Sequence, residues 1–285
     1  MFAAEATGFA GRPLPLFYSL SQGGRAILAA RGSAQPDRHG LVMRDVGASL
    51  LKSVVRPDRR GGAFGLLCEA LDSARLVNGV ELGALLCSLP ELGNPVYPVP
   101  EGWPLPALMW PEPTESWGVP PTRVRTAVVL GGQLQTADHV RQYLAPYPIS
   151  TEVTWEVAGE PMRLPHLMRS PTPAGYGVVI DWHVSTLDEV ASEYRWFGRR
   201  WLRPAVEPGG RSVPIPLMVW WALLFGLSIL ARYHPVEWVR ALDLDRSAVA
   251  VPLRRVMEEA LIGLPHLVLE ALTDQQILVS PPDGI

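Results

Sequence analysis

The chain has 285 residues, 48% of them hydrophobic, with 25 Lys+Arg against 28 Asp+Glu and a formal net charge of −3. This composition supports a large core and excludes a disordered chain, a collagen-like repeat and a disulfide-stapled miniprotein. The near-neutral balance removes any global electrostatic argument for nucleic acid or an anionic membrane and leaves only local patches. The basic residues are 24 arginines and a single lysine, Lys52, beside 29 prolines and 26 glycines. Such a bias accompanies GC-rich coding, and it also supplies fork-shaped donors suited to phosphate. Cys68 and Cys87 sit in apolar helical patterns and read as small core residues of a reducing cytoplasm. The opening MFAAEATGFAGRPLP carries an early acid and no basic n-region, so no signal peptide is expected.

In chain order, Leu16 to Ala30 predicts a helix with Phe17, Leu20, Gly24, Ile27 and Leu28 on one face. Gly23 and Gly24 cost helix propensity and are expected to admit a close neighbour. After the loop SAQPDRHG a second helix is expected over about Leu41 to Val55, then the basic turn RPDRRGG at 56–62. A third helix follows with Phe64, Leu67, Cys68 and Leu71 inward, and Glu81 to Leu89 forms a short fourth before Pro90.

Nine prolines and three tryptophans lie between Pro95 and Pro121, which predicts an extended strap. Period-two runs at Arg125 to Leu130, Glu152 to Val157 and Tyr176 to Trp182 predict about three antiparallel strands. A short helix is expected between them at Ala137 to Leu144. From Gly210 onward the pattern is helical. Val213 to Ala231 is uncharged, but Pro214 and Pro216 delay the helix to about Leu217. The remaining 15 residues rise about 22 Å against the roughly 30 Å of a bilayer core, so a buried central helix is expected and no membrane. Pro235 begins a short helix, and Ser247 is expected to cap a final one interrupted at Pro265. Its apolar stripe runs through Leu253, Val256, Met257, Ala260, Leu261 and Leu264. The pairs Arg254–Glu258 and Arg255–Glu259 fall on the opposite face, which is expected to be solvated. The fold class is therefore mainly α. Helices at 1–94 and 186–285 form one body, joined by the 95–121 strap and a small antiparallel β insertion at 122–185.

Few residue constellations carry chemistry. Arg25, Arg31, Arg38 and His39 place four cations near one helix end, a pattern that suits either a phosphate or structural pairs. Arg195, Arg199, Arg200 and Arg203 interleave with Trp196, Phe197 and Trp201. This suits nucleic-acid contacts or an amphipathic helix with wet arginines. Asp181 and His183, with His166, lack further ligands at metal spacing. No Walker A loop, G-x-S-x-G elbow, H-E-x-x-H or zinc-like cysteine pair occurs. No metal and no cofactor are expected.

Two segments carry family resemblances. FYSLSQGGRAILAARG (Phe17–Gly32) followed by DRHGL (Asp37–Leu41) resembles the opening helix and histidine loop of HEPN-type helical domains. LSILARYHPVEWVRAL (Leu227–Leu242) with SAVAVPLRRVMEEALIGLPHLVLEAL (Ser247–Leu272) is similar to the C-terminal block of the bacterial YaaC-like family, where Arg232, Tyr233, Pro235 and Trp238 are the distinctive spacing. The YaaC-like resemblance implies no particular activity. HEPN-type ribonucleases carry an Arg and a His with four to six residues between them, and no histidine here has that spacing. The nearest case, Arg31 and His39, has seven residues between.

The resemblances together imply a cytoplasmic, non-catalytic binding or assembly component, in a stress or defence pathway directed at nucleic acid. A ribonuclease or nucleotide-processing enzyme using Arg31 and His39, and a purely structural subunit, are the alternatives. Arg25, Arg38, Arg199, Arg200 and Arg203 are the candidate nucleic-acid contacts; Arg232, Tyr233, Glu237 and Trp238 form a structural block, with Arg232 expected to pair with Glu237 or another acid. A protein partner or a second copy is the remaining expected partner class.

Overall fold

The computed structural model describes residues 2–46, 49–92, 103, 105–111, 124–130, 138, 142, 144–148, 154–157, 176–182, 193–196, 199–207, 210 and 213–277. Helices α1 (Phe2–Glu5), α2 (Pro13–Ala30), α3 (Ala63–Ala70), α4 (Leu82–Cys87), α5 (Pro216–Tyr233), α6 (Pro235–Ala241) and α7 (Ala250–Thr273) build a body that is mainly α. Strands β1 (Leu41–Arg44), β2 (Val54–Pro57) and β3 (Val80–Glu81) make a small antiparallel sheet in the order β1-β2-β3.

The centre of the body is α5. Thirteen of its residues are buried, including Trp220 and Trp221, because it is apolar on every side and takes α2, α3, α4 and α7 as neighbours. Among the described residues it is the one helix long and apolar enough to cross a membrane, and 72% of it is buried inside the protein. Small residues set the crossings. A Cβ on Gly24 of α2 would stand 2.5 Å from the Trp221 ring, and one on Gly226 would stand 2.4 Å from Leu82. The predicted α2 face of Phe17, Leu20, Gly24, Ile27 and Leu28 is buried as the spacing requires.

Two expectations fail here. Leu41–Val55 is two strands joined through a short 3-10 turn at Leu50–Lys52. Asp45 takes a left-handed φ of 56°, which a helix cannot contain, and Met43 pairs with Val55 across the ladder. The final helix runs unbroken from Ala250 to Thr273 with Pro265 inside; burial of Leu264 and Leu267 beside it offsets the hydrogen bond that proline removes.

The second sheet, ordered β6-β7-β5-β4-β9-β8, is larger than the predicted insertion. Strands β5 (Val124–Leu130), β6 (Thr154–Val157) and β7 (Tyr176–Trp182) match the predicted runs. β4 (Ala107–Pro111) falls inside the predicted strap, and the hairpin β8 (Glu193–Trp196) with β9 (Arg199–Leu202) falls inside the predicted helical block. In β8 the order is period two: Tyr194 and Trp196 are buried, with Arg195 between them partly exposed. The 137–144 helix lies largely outside the described residues, as do His139, His166 and His183.

Sheet and helices are joined by buried polar contacts. Glu91 Oε1 accepts from Tyr194 Oη at 2.9 Å and from Trp220 Nε1 at 3.1 Å. Closer to the surface, Glu207 Oε1 accepts three consecutive backbone N–H groups, from Val77 at 2.9 Å, Asn78 at 2.7 Å and Gly79 at 3.0 Å. These bonds fasten the chain leaving β9 to the turn before β3.

A candidate anion-binding site

The His39 loop is held by its backbone. The carbonyls of Arg38 and His39 accept the N–H groups of Ala63 at 2.9 Å and Phe64 at 3.0 Å, which satisfies donors that the start of α3 would otherwise leave open. Gly40 O accepts from Asp58 N at 3.0 Å. The loop and the basic turn meet at two glycines: Gly62, at φ 139°, would with a Cβ come within 2.6 Å of Gly40 N. No other residue fits that approach. One consequence is that Arg38 and His39 stand beside the turn carrying Arg56, Arg59 and Arg60, all exposed.

The His39 ring lies edge-on to Phe17 of α2, with centroids 4.9 Å apart, and 6.3 Å from Phe225 of α5. It is therefore fixed where α2 and α5 meet. Its pKa is lowered, first by partial burial and then by the guanidiniums of Arg25 and Arg232. Near neutral pH it is a neutral imidazole offering one N–H. Arg232, in the last turn of α5, donates to the Tyr18 hydroxyl of α2 at 3.3 Å and lies over the Tyr233 ring at 5.3 Å. Arg232 and Tyr18 thus meet directly, His39 lies against Phe17 and Phe225 close by, and Arg25 adds a cation that acts on His39 through space. Their shared chemistry is hydrogen bonding to an anion.

The other predicted residues separate from this group. Arg31 pairs with Asp274 and donates to Ala271 O at 3.2 Å, tying the end of α2 to the end of α7. It does not join His39. Arg38 stays at the surface, 3.5 Å from Asp37. Arg199 is exposed on β9 and Arg200 is partly exposed. Arg203 is 3% exposed, donating to Pro214 O and packing over Tyr194, so no surface patch contains it. Arg232 bonds to Tyr18 where a carboxylate partner such as Glu237 was expected. Glu237 is exposed. Tyr233 is exposed as well, whereas Trp238 is 1% exposed and donates from Nε1 to Ala10 O at 2.8 Å. Arg254 bonds Leu242 O and covers Phe9, and Glu259 is buried with Arg255 as its partner. Only Glu258 and Arg255 keep the expected solvated face.

Sequence reasoning missed Glu91, whose carboxyl is pushed up by full burial. Its signal is an acid directly after Pro90 in the apolar run LLCSLPEL. Two open grooves of about 720 and 590 Å³ flank α6 and share Arg240 and Arg246; neither contains Arg25, His39 or Arg232. Among the described residues no group of three or more His, Cys, Asp or Glu is placed to hold a metal. The Cys68 and Cys87 thiols are pushed up to about 11 and about 12 by burial and are unreactive.

No curated protein and no solved structure matches the chain. The sequence profile of one family, described as YaaC-like protein, matches residues 1–272. That span takes in the His39 loop with Arg25, both sheets and the Arg232–Trp238 block together. The chain belongs to the YaaC-like protein family.

Proposed function

We propose that this protein is a non-catalytic binding component of the bacterial cytoplasm that grips phosphate groups of a nucleic acid. The observation that carries the reading is the exposed cationic surface made by Arg25, Arg38 and Arg232 around the His39 loop, which the backbone holds against the Arg56–Arg60 turn. The charges felt by His39 are both cationic, which suits holding an anion. A proton relay through Arg31 and His39 is disfavoured because Arg31 is committed to Asp274. The likeness of Phe17–Leu41 to HEPN-type domains supports a HEPN-like helical body and a stress or defence setting, by analogy alone.

The test is binding of a labelled single-stranded RNA across a salt series. Phosphate contacts release counterions, so affinity should fall steeply with salt. Replacing Arg25 and Arg232 together by Gln should reduce the log–log slope by about 1.4, the single-strand value for two lost contacts. A paired Arg199→Gln, Arg200→Gln variant on the separate sheet should change it less, and the RNA should stay intact. Cleavage by wild type that His39→Ala abolishes would promote the ribonuclease. Absence of binding at low salt would leave the structural subunit.

A further inference from the structure

The same surface carries aromatic rings that a purely electrostatic clamp does not need. Tyr18 is 46% exposed and Tyr233 is 62% exposed. Each touches Arg232, one through its hydroxyl at 3.3 Å and the other through its ring face at 5.3 Å. Tyr18 and Arg25 are seven residues apart on α2, so they share its exposed face two turns apart. Exposed large aromatics are costly to leave in water, and among the described residues Phe2 is the only other. Phe2 is remote in sequence from every member of this group.

We infer that the ligand is single-stranded nucleic acid, with a phosphate on Arg232 beside Tyr18, an unstacked base on Tyr233, and Arg25 two turns along α2 as a further cation for the backbone. This rests on the phosphate-binding reading above and narrows it. A duplex presents phosphates but keeps its bases stacked on one another, whereas a single strand offers a free π face next to each phosphate. The Arg232 guanidinium is the hinge of the arrangement. Its bond to Tyr18 fixes the plane of the fork and leaves its remaining N–H donors for the phosphate. The Tyr233 ring, 62% exposed with Arg232 over it at 5.3 Å, is open enough for a base to extend the stack.

Three polyanions separate the two levels: a single-stranded RNA, the same sequence as a duplex, and inorganic polyphosphate of equal charge. The wild type should prefer the single strand to polyphosphate by at least about tenfold at matched salt. Tyr233→Leu should weaken single-strand binding roughly 5- to 150-fold, the range for losing one base–aromatic stack, and leave polyphosphate binding unchanged. Tyr18→Phe keeps the ring and removes the hydroxyl, so it should weaken both ligands modestly through Arg232. Equal affinity for the single strand and polyphosphate, or an unaltered Tyr233→Leu, overturns the stacking while the phosphate reading stands. If removal of Arg25 and Arg232 has no effect on any of the three, both fall. Thermal melting of each variant shows that an exposed substitution has left the fold intact.

Discussion

Trp238 shows how one side chain can serve two masters. Its ring is buried against the body, and its Nε1 reaches the Ala10 carbonyl at 2.8 Å, joining α6 to the segment before α2. Trp238→Ala therefore empties a large volume and strands a carbonyl at once. The expected loss is about 3–5 kcal/mol, the usual cost of truncating a buried large aromatic. Its neighbour Val239 is 55% exposed, and Val239→Ala should stay within about 0.5 kcal/mol. Denaturant unfolding of the pair checks this, and similar midpoints for the two variants would contradict the packing described. A polar tip on an apolar body is why the residue is distinctive in the sequence as well as in the fold.

At the scale of elements, the crossing of α2 over α5 depends on Gly24. A methyl there would meet two Trp221 ring atoms at 2.5 and 2.8 Å and Leu67 Cδ1 at 2.9 Å. Trp221 is itself buried and has no room to yield, so overpacking should outweigh the roughly 1 kcal/mol of helix propensity gained from Ala. Gly24→Ala should destabilise by about 1–3 kcal/mol. Gly23→Ala meets only the methyls of half-buried Val268, at 3.0 and 3.2 Å, and should be near neutral. Equal melting temperatures would show that the helices can slide apart at no cost. The helices were legible because each carries a 3.6-residue apolar stripe. β1 and β2 were not, because Leu41, Val42, Leu50, Leu51, Val54 and Val55 also satisfy helical spacing and the pairing that makes them strands is set elsewhere. The Arg–Trp run of β8–β9 failed for a similar reason, since four residues of alternation fit either period. Arg25 and His39 could be read as neighbours from their loop. Arg232 could not, because only the antiparallel packing of α2 on α5 brings it across.

For the molecule as a whole, Glu91 is the group that senses how sheet and helices are joined. It accepts from Tyr194 of β8 and Trp220 of α5, and its other oxygen is buried without a partner. Burial holds its pKa above the ordinary value near 4.5 in the folded state. Between that value and the folded one, the native protein binds more protons than the unfolded chain. Stability must then fall as pH rises through this window. Glu91→Gln keeps the accepting oxygen and cannot ionise. Its melting temperature should decline less than that of wild type from pH 5 to pH 8, because both the Glu91 charge and its repulsion with Glu259 are removed. Parallel pH profiles would mean that Glu91 is ionised in place.

The bond from Trp238 to Ala10 spans 228 residues of sequence, and the two helices that α2 packs against most, α5 and α7, both lie in the C-terminal quarter. A ribosome adding 5–20 residues per second needs roughly 10–45 s to synthesise that interval. For that time Leu16, Phe17, Leu20 and Ile27 emerge with most of their final contacts still unmade. Chains truncated before α5 should therefore be recovered aggregated or degraded, since the helix at the centre of the core is missing.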